Sequence, residues 1–284
     1  MLVHSIDQAR AWIRTRANRG GKIALVPTMG ALHEGHLSLV DTAKRQADHV
    51  VVTIFVNPRQ FAAGEDIDSY PRTLEADYRM CQERGVGLVV APAADEIYPD
   101  GYQTSVTVEQ LGLGKLCAVS RPHFFGGVAT AVLKLLNIAM ADVAVFGEKD
   151  YQQLQVIKRM CRDLHHPTRI IGSPLVREKS GLAMSSRNRY LSDDELDAAA
   201  SISKALFAMQ AAVQSGRSEV APMLAEAAAA IAASGGRVDY LSAVDAETLE
   251  PIASVQKPAR ALVAAWFGPA RLIDNLALDP PTAH

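Results

Sequence analysis

Two histidines three positions apart, His33 and His36, lie in the stretch PTMGALHEGH (27–36), behind the apolar run KIALV and ahead of a new apolar pattern, LSLV. On the first turn of a helix that spacing puts both rings on one face. A helix N-terminus there offers unpaired N–H groups and partial positive charge, which suits phosphate. An imidazole with an ordinary pKa of about 6.5 can hold or give a proton near neutrality. Gly30 and Gly35 would let backbone approach a nucleotide closely. The spacing is not the i,i+4 pair of an HExxH zinc site, and no GK[ST] follows to make a P-loop. The plain alternative is a pair of histidines that only caps a helix.

Three further clusters could do related chemistry. In VFGEKDYQQLQ (145–155), Gly147, Glu148, Lys149 and Asp150 end another apolar run. Lys149 would meet phosphate oxygens, and Asp150 a ribose hydroxyl or an ion. Gln153, three residues further on, would project into the same crevice. The same residues also fit an ordinary charged helix start, with Glu148 and Asp150 complementing the dipole. In LAMSSRN (182–188), the Ser185 and Ser186 hydroxyls and the Arg187 fork suit a lid over a triphosphate, or else a helix-capping linker. In FVNPRQF (55–61), Asn57 and Gln60 offer neutral amides that can orient a polar substrate, where the bland reading is a proline turn.

The elements that must position these clusters alternate. KIALVPT, HVVVTIFVN, VGLVVAP, ADVAVFG and TRIIGSPLV read as strands, and their near-continuous Val, Ile and Leu content fits strands buried on both faces of a parallel sheet. Helical runs lie between them: LSLVDTAKRQA, TLEADYRMCQERG, VATAVLKLLNIAM and YQQLQVIKRMCRDL. This repetition predicts an α/β fold, a doubly wound Rossmann-like domain with a parallel sheet over 1–175. In such a sheet ligands bind beyond the carboxyl ends of the strands, where all four clusters fall. The pattern changes near 176, where REKSGLAMSSRNRYLS reads as a mobile loop or a linker. Helical stretches at 193–214 and 218–233 follow, then strands VDYLSAVD, RALVAAWFG and ARLIDNLAL, predicting a smaller α+β C-terminal domain over 176–284.

Bulk properties narrow the function classes. With 284 residues, 49% hydrophobic and 21% charged, the composition is that of a globular protein with a large core. A net charge of −2 gives no basic field for nucleic acid. No apolar run is long enough to span a membrane, and the N-terminus has no secretory pattern, so a soluble cytoplasmic protein is expected. Cys81, Cys117 and Cys161 form no CxxC pair and are expected to be reduced and mostly buried.

The HxGH pair with a serine-rich MSSR loop resembles the HIGH and KMSKS motifs of the nucleotidyl-transferring α/β superfamily, which includes class I aminoacyl-tRNA synthetases. Taken together, PTMGALHEGHLSLV, FVNPRQF, FGEKDYQQL and GLAMSSRNRYL resemble the pantoate–β-alanine ligases, and the likeness extends to VDYLSAVDAETLEP and RLIDN near the C-terminus. The resemblance implies an Mg²⁺- and ATP-dependent reaction. Pantoate is adenylated with release of pyrophosphate, and β-alanine then displaces AMP to give pantothenate. It implies that Met29, Gly30, Ala31, Leu32, His33, Glu34, Gly35 and His36 bind ATP, with His36 as catalytic proton donor and His33 and Lys149 assisting at the phosphates. Gly147, Glu148, Lys149, Asp150, Val176, Met184, Ser185, Ser186 and Arg187 would also bind ATP. Gln60 and Gln153 would hold pantoate, and Gln60 would lie beside β-alanine. The resemblance gives no metal ligands, and it implies a homodimer that binds small molecules, with no nucleic acid and no membrane as partners. One segment departs from the family pattern RPxHFxGV: here 121–128 reads RPHFFGGV, with His123 one position early and Phe124 in the usual histidine place. Other readings are a different small-molecule nucleotidyltransferase, a non-catalytic nucleotide-binding module, and a tRNA-charging paralogue, for which the sequence shows no anticodon-sized domain or basic surface.

Overall fold

The computed structural model describes residues 1–61, 67–68 and 70–281. In chain order the elements are β1 (Leu2–Val3), α1 (Ile6–Ala17), β2 (Ile23–Thr28), α2 (Glu34–Lys44), β3 (His49–Ile54), α3 (Leu74–Glu83), β4 (Leu88–Val90), the short helices α4 (Ala94–Ile97), α5 (Glu109–Gly112) and α6 (Cys117–Ser120), α7 (Phe124–Ala139), β5 (Val143–Gly147), α8 (Tyr151–Asp163), β6 (Arg169–Ser173), α9 (Asp193–Ala199), α10 (Ser201–Gln214), α11 (Val220–Ala233), β7 (Arg237–Asp245), β8 (Ala259–Phe267) and β9 (Ala270–Leu278). They form two compact units, Met1–Glu148 with Gln152–Pro174, and Lys149–Tyr151 with Leu175–His284.

The first unit is built on a six-stranded parallel sheet in the order β1-β4-β3-β2-β5-β6. Its middle strand is sealed from water along Ile23, Ala24, Leu25 and Val26, as a strand covered on both faces requires. Ala24, Val26, Val50, Val52, Val143 and Val145 pack in one cluster with Leu39, Val40 and Ala43 of α2 and Cys81 of α3. On the other side α1 and α7 pack together, and α7 also meets β2. From β2 the chain steps outward through β3 and β4, then returns to the far side of β2 with β5 and β6. The order reverses between β2 and β5, and a crevice opens at the carboxyl ends of strands at such a point.

The second unit sets α9, α10 and α11 with an antiparallel sheet ordered β7-β8-β9. Leu206, Met209, Met223, Ile231, Val263 and Leu278 are part of its core. A parallel-sheet α/β unit followed by a smaller α+β unit is the expected fold class.

Several boundaries differ from the sequence reading. Helix α2 starts at Glu34, inside the motif and before the apolar LSLV, because His33 caps it. Helix α7 starts at Phe124, ahead of VATAVL, and runs through Gly126 and Gly127. The 193–214 stretch is two helices divided at Ala200. The pair β1–α1 gave no clear signal, since β1 has two residues and α1 buries only Ala9, Trp12 and Ile13. Among the described residues no helix is long and apolar enough to cross a membrane. Cys81 and Cys161 are buried, and burial pushes both thiols up to about 11.

Candidate active site

The loop that leaves β2 is held in an unusual shape. Gly30 and Ala31 both have positive φ, 83° and 51°, a region costly for a residue with a Cβ. The buried carboxylate of Asp77, on α3, compensates. Its two oxygens accept the backbone N–H groups of Ala31 at 3.0 Å and Leu32 at 2.8 Å, and Thr73 Oγ1 donates to it at 3.1 Å. A Cβ on Gly30 would lie 3.0 Å from the same carboxylate, a tight contact added to the unfavourable φ. Thr28 anchors the start of the loop, its hydroxyl donating to Thr53 O at 2.7 Å and accepting from Gly30 N at 3.2 Å.

This clamp delivers the chain to the head of α2. His33 is the N-cap, its Nδ1 accepting from Gly35 N at 3.1 Å. A lone pair committed there places the proton of the neutral ring on Nε2. His36 follows in the first turn, and the two ring centroids are 4.2 Å apart. The predicted shared face is therefore real, and it stands at the reversal point of the sheet. Glu34, within the same run, is exposed and turns its carboxylate to Arg84 at 2.7 Å. Gly147 ends β5 on the other side of the reversal and Glu148 follows it, both half-buried.

Gln60 closes a 3-10 turn over Pro58–Gln60 that is capped by buried Asn57. Asn57 Nδ2 donates to Gln60 Oε1 and to Gly127 O, each at 3.1 Å, and Arg121 donates to Gln60 O at 3.2 Å. Arg121 thus supports the pantoate candidate from the divergent 121–128 segment, with its guanidinium 4.0 Å from the centre of the Phe124 ring. His123 is exposed. A Cβ at Gly127 would fall 2.1 Å from Arg59 O, a backbone atom that cannot swing aside. Gly127→Ala is expected to destabilise the fold by about 1–3 kcal/mol and to weaken pantoate use. Thermal denaturation alongside pantoate kinetics checks it, and an unchanged melting temperature would show that the turn can yield.

The two glutamines of YQQL divide. Gln152 is buried and committed to the chain, donating to Leu111 O and Lys115 O at 2.9 and 3.1 Å and accepting from Cys117 N at 3.1 Å. Gln153, the one predicted to meet substrate, is half-buried on the first turn of α8.

The remaining predicted residues lie in the second unit. Residues 176–184 form a small hairpin rather than a loose loop: Met184 N donates to Val176 O at 3.0 Å, and Glu178 N to Leu182 O at 2.8 Å. Val176 and Met184 are therefore partners across it. Ser185 caps a 3-10 turn over Ser186–Tyr190 by accepting from Arg187 N at 3.2 Å, so its hydroxyl is already in structural use. Arg177 braces the hairpin, donating to Gly181 O at 3.0 Å and to both oxygens of Asp274 at 2.6 and 3.0 Å. Burial pushes the Asp274 carboxyl up while Arg177 pulls it down. The neighbouring Asn275 donates to Lys149 O at 2.9 Å and accepts from Arg260 at 2.7 Å, which fixes the backbone of Lys149. Lys149 and Asp150 are half-buried. Among the described residues no group of three His, Cys, Asp or Glu is arranged to hold a metal ion.

The sequence reading did not find Asp77 or the Arg177–Asp274 pair. Asp77 left one signal: it shares a helix face with Cys81, four residues on, an acid on a face that is otherwise buried.

The model of the pantoate–β-alanine ligase family matches residues 1–277. The chain belongs to that family. A pantothenate synthetase of Novosphingobium aromaticivorans is 50% identical over 285 residues, covering 98% of this chain and 99% of the relative. One from Myxococcus xanthus is 49% identical, with 98% and 96% covered. The crystal structure of a Thermus thermophilus pantothenate synthetase superposes with a TM-score of 0.93 at 44% identity, covering 98% of this chain and 99% of the other. A pantoate–β-alanine ligase from Francisella tularensis, complexed with beta-gamma ATP and β-alanine, gives 0.80 at 33% identity, with 97% of both chains covered. As a pantoate–β-alanine ligase, this chain is an enzyme that joins pantoate to β-alanine to form pantothenate.

Proposed function

We propose that this ligase works through an acyl adenylate. The pantoate carboxylate attacks the α-phosphorus of ATP and pyrophosphate leaves. The β-alanine amine then attacks the acyl carbon, AMP departs with the acyl C–O bond broken, and the amine gives up a proton. A carboxylate is a poor acyl donor, so the protein's task is to position charged reactants and neutralise the phosphates. The observation that carries this reading is the His33–His36 pair at the head of α2, on a loop clamped at the reversal point of the sheet.

In this reading Met29 to His36, with Gly147 and Glu148, bind ATP. His36 donates a proton as pyrophosphate leaves, and His33 offers Nε2–H to a phosphate oxygen. Lys149, Asp150, Val176, Met184, Ser185, Ser186 and Arg187 are also ATP-binding residues, with Lys149 neutralising phosphate charge. Gln60 and Gln153 hold pantoate, and Gln60 also borders β-alanine. Residues 1–175 act as the nucleotide- and pantoate-binding domain, and 176–284 carry the lid that keeps water from the adenylate. The substrate is MgATP. Mg²⁺ commonly enters a site on substrate phosphates with one or two carboxylates in support, a role that suits Asp150. The enzyme acts in the cytoplasm as a homodimer, and light scattering on the purified protein tests the dimer.

The deciding experiment measures pyrophosphate release from MgATP with pantoate alone and then with β-alanine. Limited release followed by sustained turnover and AMP supports the two steps. Release that does not depend on pantoate, or a nucleotidyl product, overturns them. Gln60→Ala is expected to raise KM for pantoate roughly tenfold, the loss of one or two hydrogen bonds to a charged group, with KM for ATP within about twofold. Equal losses for both substrates would contradict its assignment.

A further inference from the structure

The side-chain amide of Gln60 can meet a ligand with its oxygen or with its nitrogen, and its surroundings decide which. Asn57 Oδ1 accepts the Arg59 N–H at 3.2 Å, and Asn57 Nδ2 donates to Gly127 O at 3.1 Å. A backbone N–H only donates and a carbonyl only accepts, so these two contacts fix which way round the Asn57 amide lies. Its Nδ2 therefore faces Gln60 Oε1, and Gln60 must turn its Nε2 the other way, to the side of Met29 Sδ.

A third group holds Asn57 in that state. The Tyr98 hydroxyl, which follows α4, donates to Asn57 Oδ1 at 2.9 Å. The Tyr98 ring is itself wedged in place. Its centroid lies 6.1 Å from that of Phe55 and 5.1 Å from that of Tyr102. The Arg59 guanidinium and the Lys134 ammonium stand 5.2 and 5.5 Å from its centre. Burial, partly offset by Arg59, pushes the phenol up to about 12, so it keeps its proton throughout the working pH range. The sequence stretch that supplies it, DEIYPDG, matched none of the four motif clusters.

We propose that Tyr98 is a positioning residue for pantoate: its hydroxyl holds in place Asn57, whose backbone-fixed amide sets the polarity of Gln60, which then presents N–H donors to the substrate. The required substrate feature is an acceptor oxygen, a carboxylate or a hydroxyl used as acceptor, and a group able only to donate is refused. This rests on the assignment of Gln60 to pantoate.

The test is a double-mutant cycle of Tyr98→Phe and Gln60→Ala, each with KM and kcat for pantoate and for ATP, and with thermal denaturation. Tyr98→Phe keeps the ring and its cationic neighbours and deletes one hydrogen bond. It is expected to raise KM for pantoate roughly three- to tenfold with KM for ATP unchanged and little change in melting temperature. In the Gln60→Ala background the same change should have almost no effect on pantoate KM. Independent, multiplying losses would overturn the proposal, as would a Tyr98→Phe enzyme with unaltered pantoate kinetics beside a selectively impaired Gln60→Ala. Gln60→Ala that spares pantoate would instead remove the assignment on which the proposal stands. If Tyr98→Phe lowers stability and weakens both substrates alike, its role is structural and the proposal fails.

Discussion

His36→Ala is expected to slow pantoate-dependent pyrophosphate release by roughly 10²–10⁴-fold, the range for removing a proton donor or a group that stabilises transition-state charge. Stability should move by no more than about 0.5 kcal/mol, because His36 is a half-exposed residue on a helix that alanine suits. The cap does not depend on it: the side chain that closes the head of α2 is that of His33, through Gly35 N. The two histidines should therefore separate by experiment. His33→Asn supplies another good cap and would keep the helix start, so its loss measures phosphate contact alone. Quench-flow measurement of the adenylation step resolves these cases. An adenylation rate within about twofold of the unaltered enzyme in His36→Ala would remove the catalytic role.

Asp77→Ala is the second large effect, and it acts at a distance from the reacting atoms. One carboxylate holds two backbone N–H groups of a loop whose Gly30 and Ala31 take positive φ. Deleting it leaves buried donors without an acceptor, and the expected loss is about 2–4 kcal/mol. The loop should then relax toward ordinary φ values and displace the His33–His36 pair, so KM for ATP should rise while pantoate binding suffers less. Asp77→Asn has a single acceptor oxygen and would put an NH₂ against one of the two N–H groups, so it should behave nearer to alanine than to aspartate. Denaturant unfolding with ATP kinetics checks both effects. A full loss of stability with normal ATP use would mean that the loop keeps its shape without the clamp.

Much of the fold was legible because β2, β3 and β5 are continuous apolar runs, and such runs between helical periods have few outcomes other than a parallel sheet. The candidate site was read from the ends of those runs, where polar residues replace Val and Ile. What escaped notice has a physical cause in each case. Helix α1 buries three residues out of twelve, too thin a stripe to stand out. Helix α7 begins before its apparent start because Gly126 and Gly127 look like breakers, whereas Gly127 is small so that α7 can meet the Arg59 backbone. Asp77, Asp274 and Tyr98 act through partners 45 or more, 97 and 41 positions away in sequence. Spacing along a chain carries no trace of such pairings. The 177–188 run read as a loop because its order comes from Arg177 and Asn188, polar residues that usually mark exposed coil.

Lys149 to Tyr151 offers a last point, about how this chain could be divided. In sequence these three residues sit between β5 and the body of α8, yet they belong with the C-terminal unit. Asn275 grips the carbonyl of Lys149, the Tyr151 hydroxyl donates to Ala246 O at 2.8 Å, and Arg260 lies 4.1 Å from the centre of the Tyr151 ring. A gene fragment ending at 174 would encode every strand of the parallel sheet and still hand over a lysine without its holder. Fragment complementation, circular permutation or grafting of either half onto a relative would each have to carry β8 and β9 with the 149–151 turn. For engineering, the tripeptide and the residues that hold it form one exchangeable part, although the partners stand 95 and 126 positions apart in the chain.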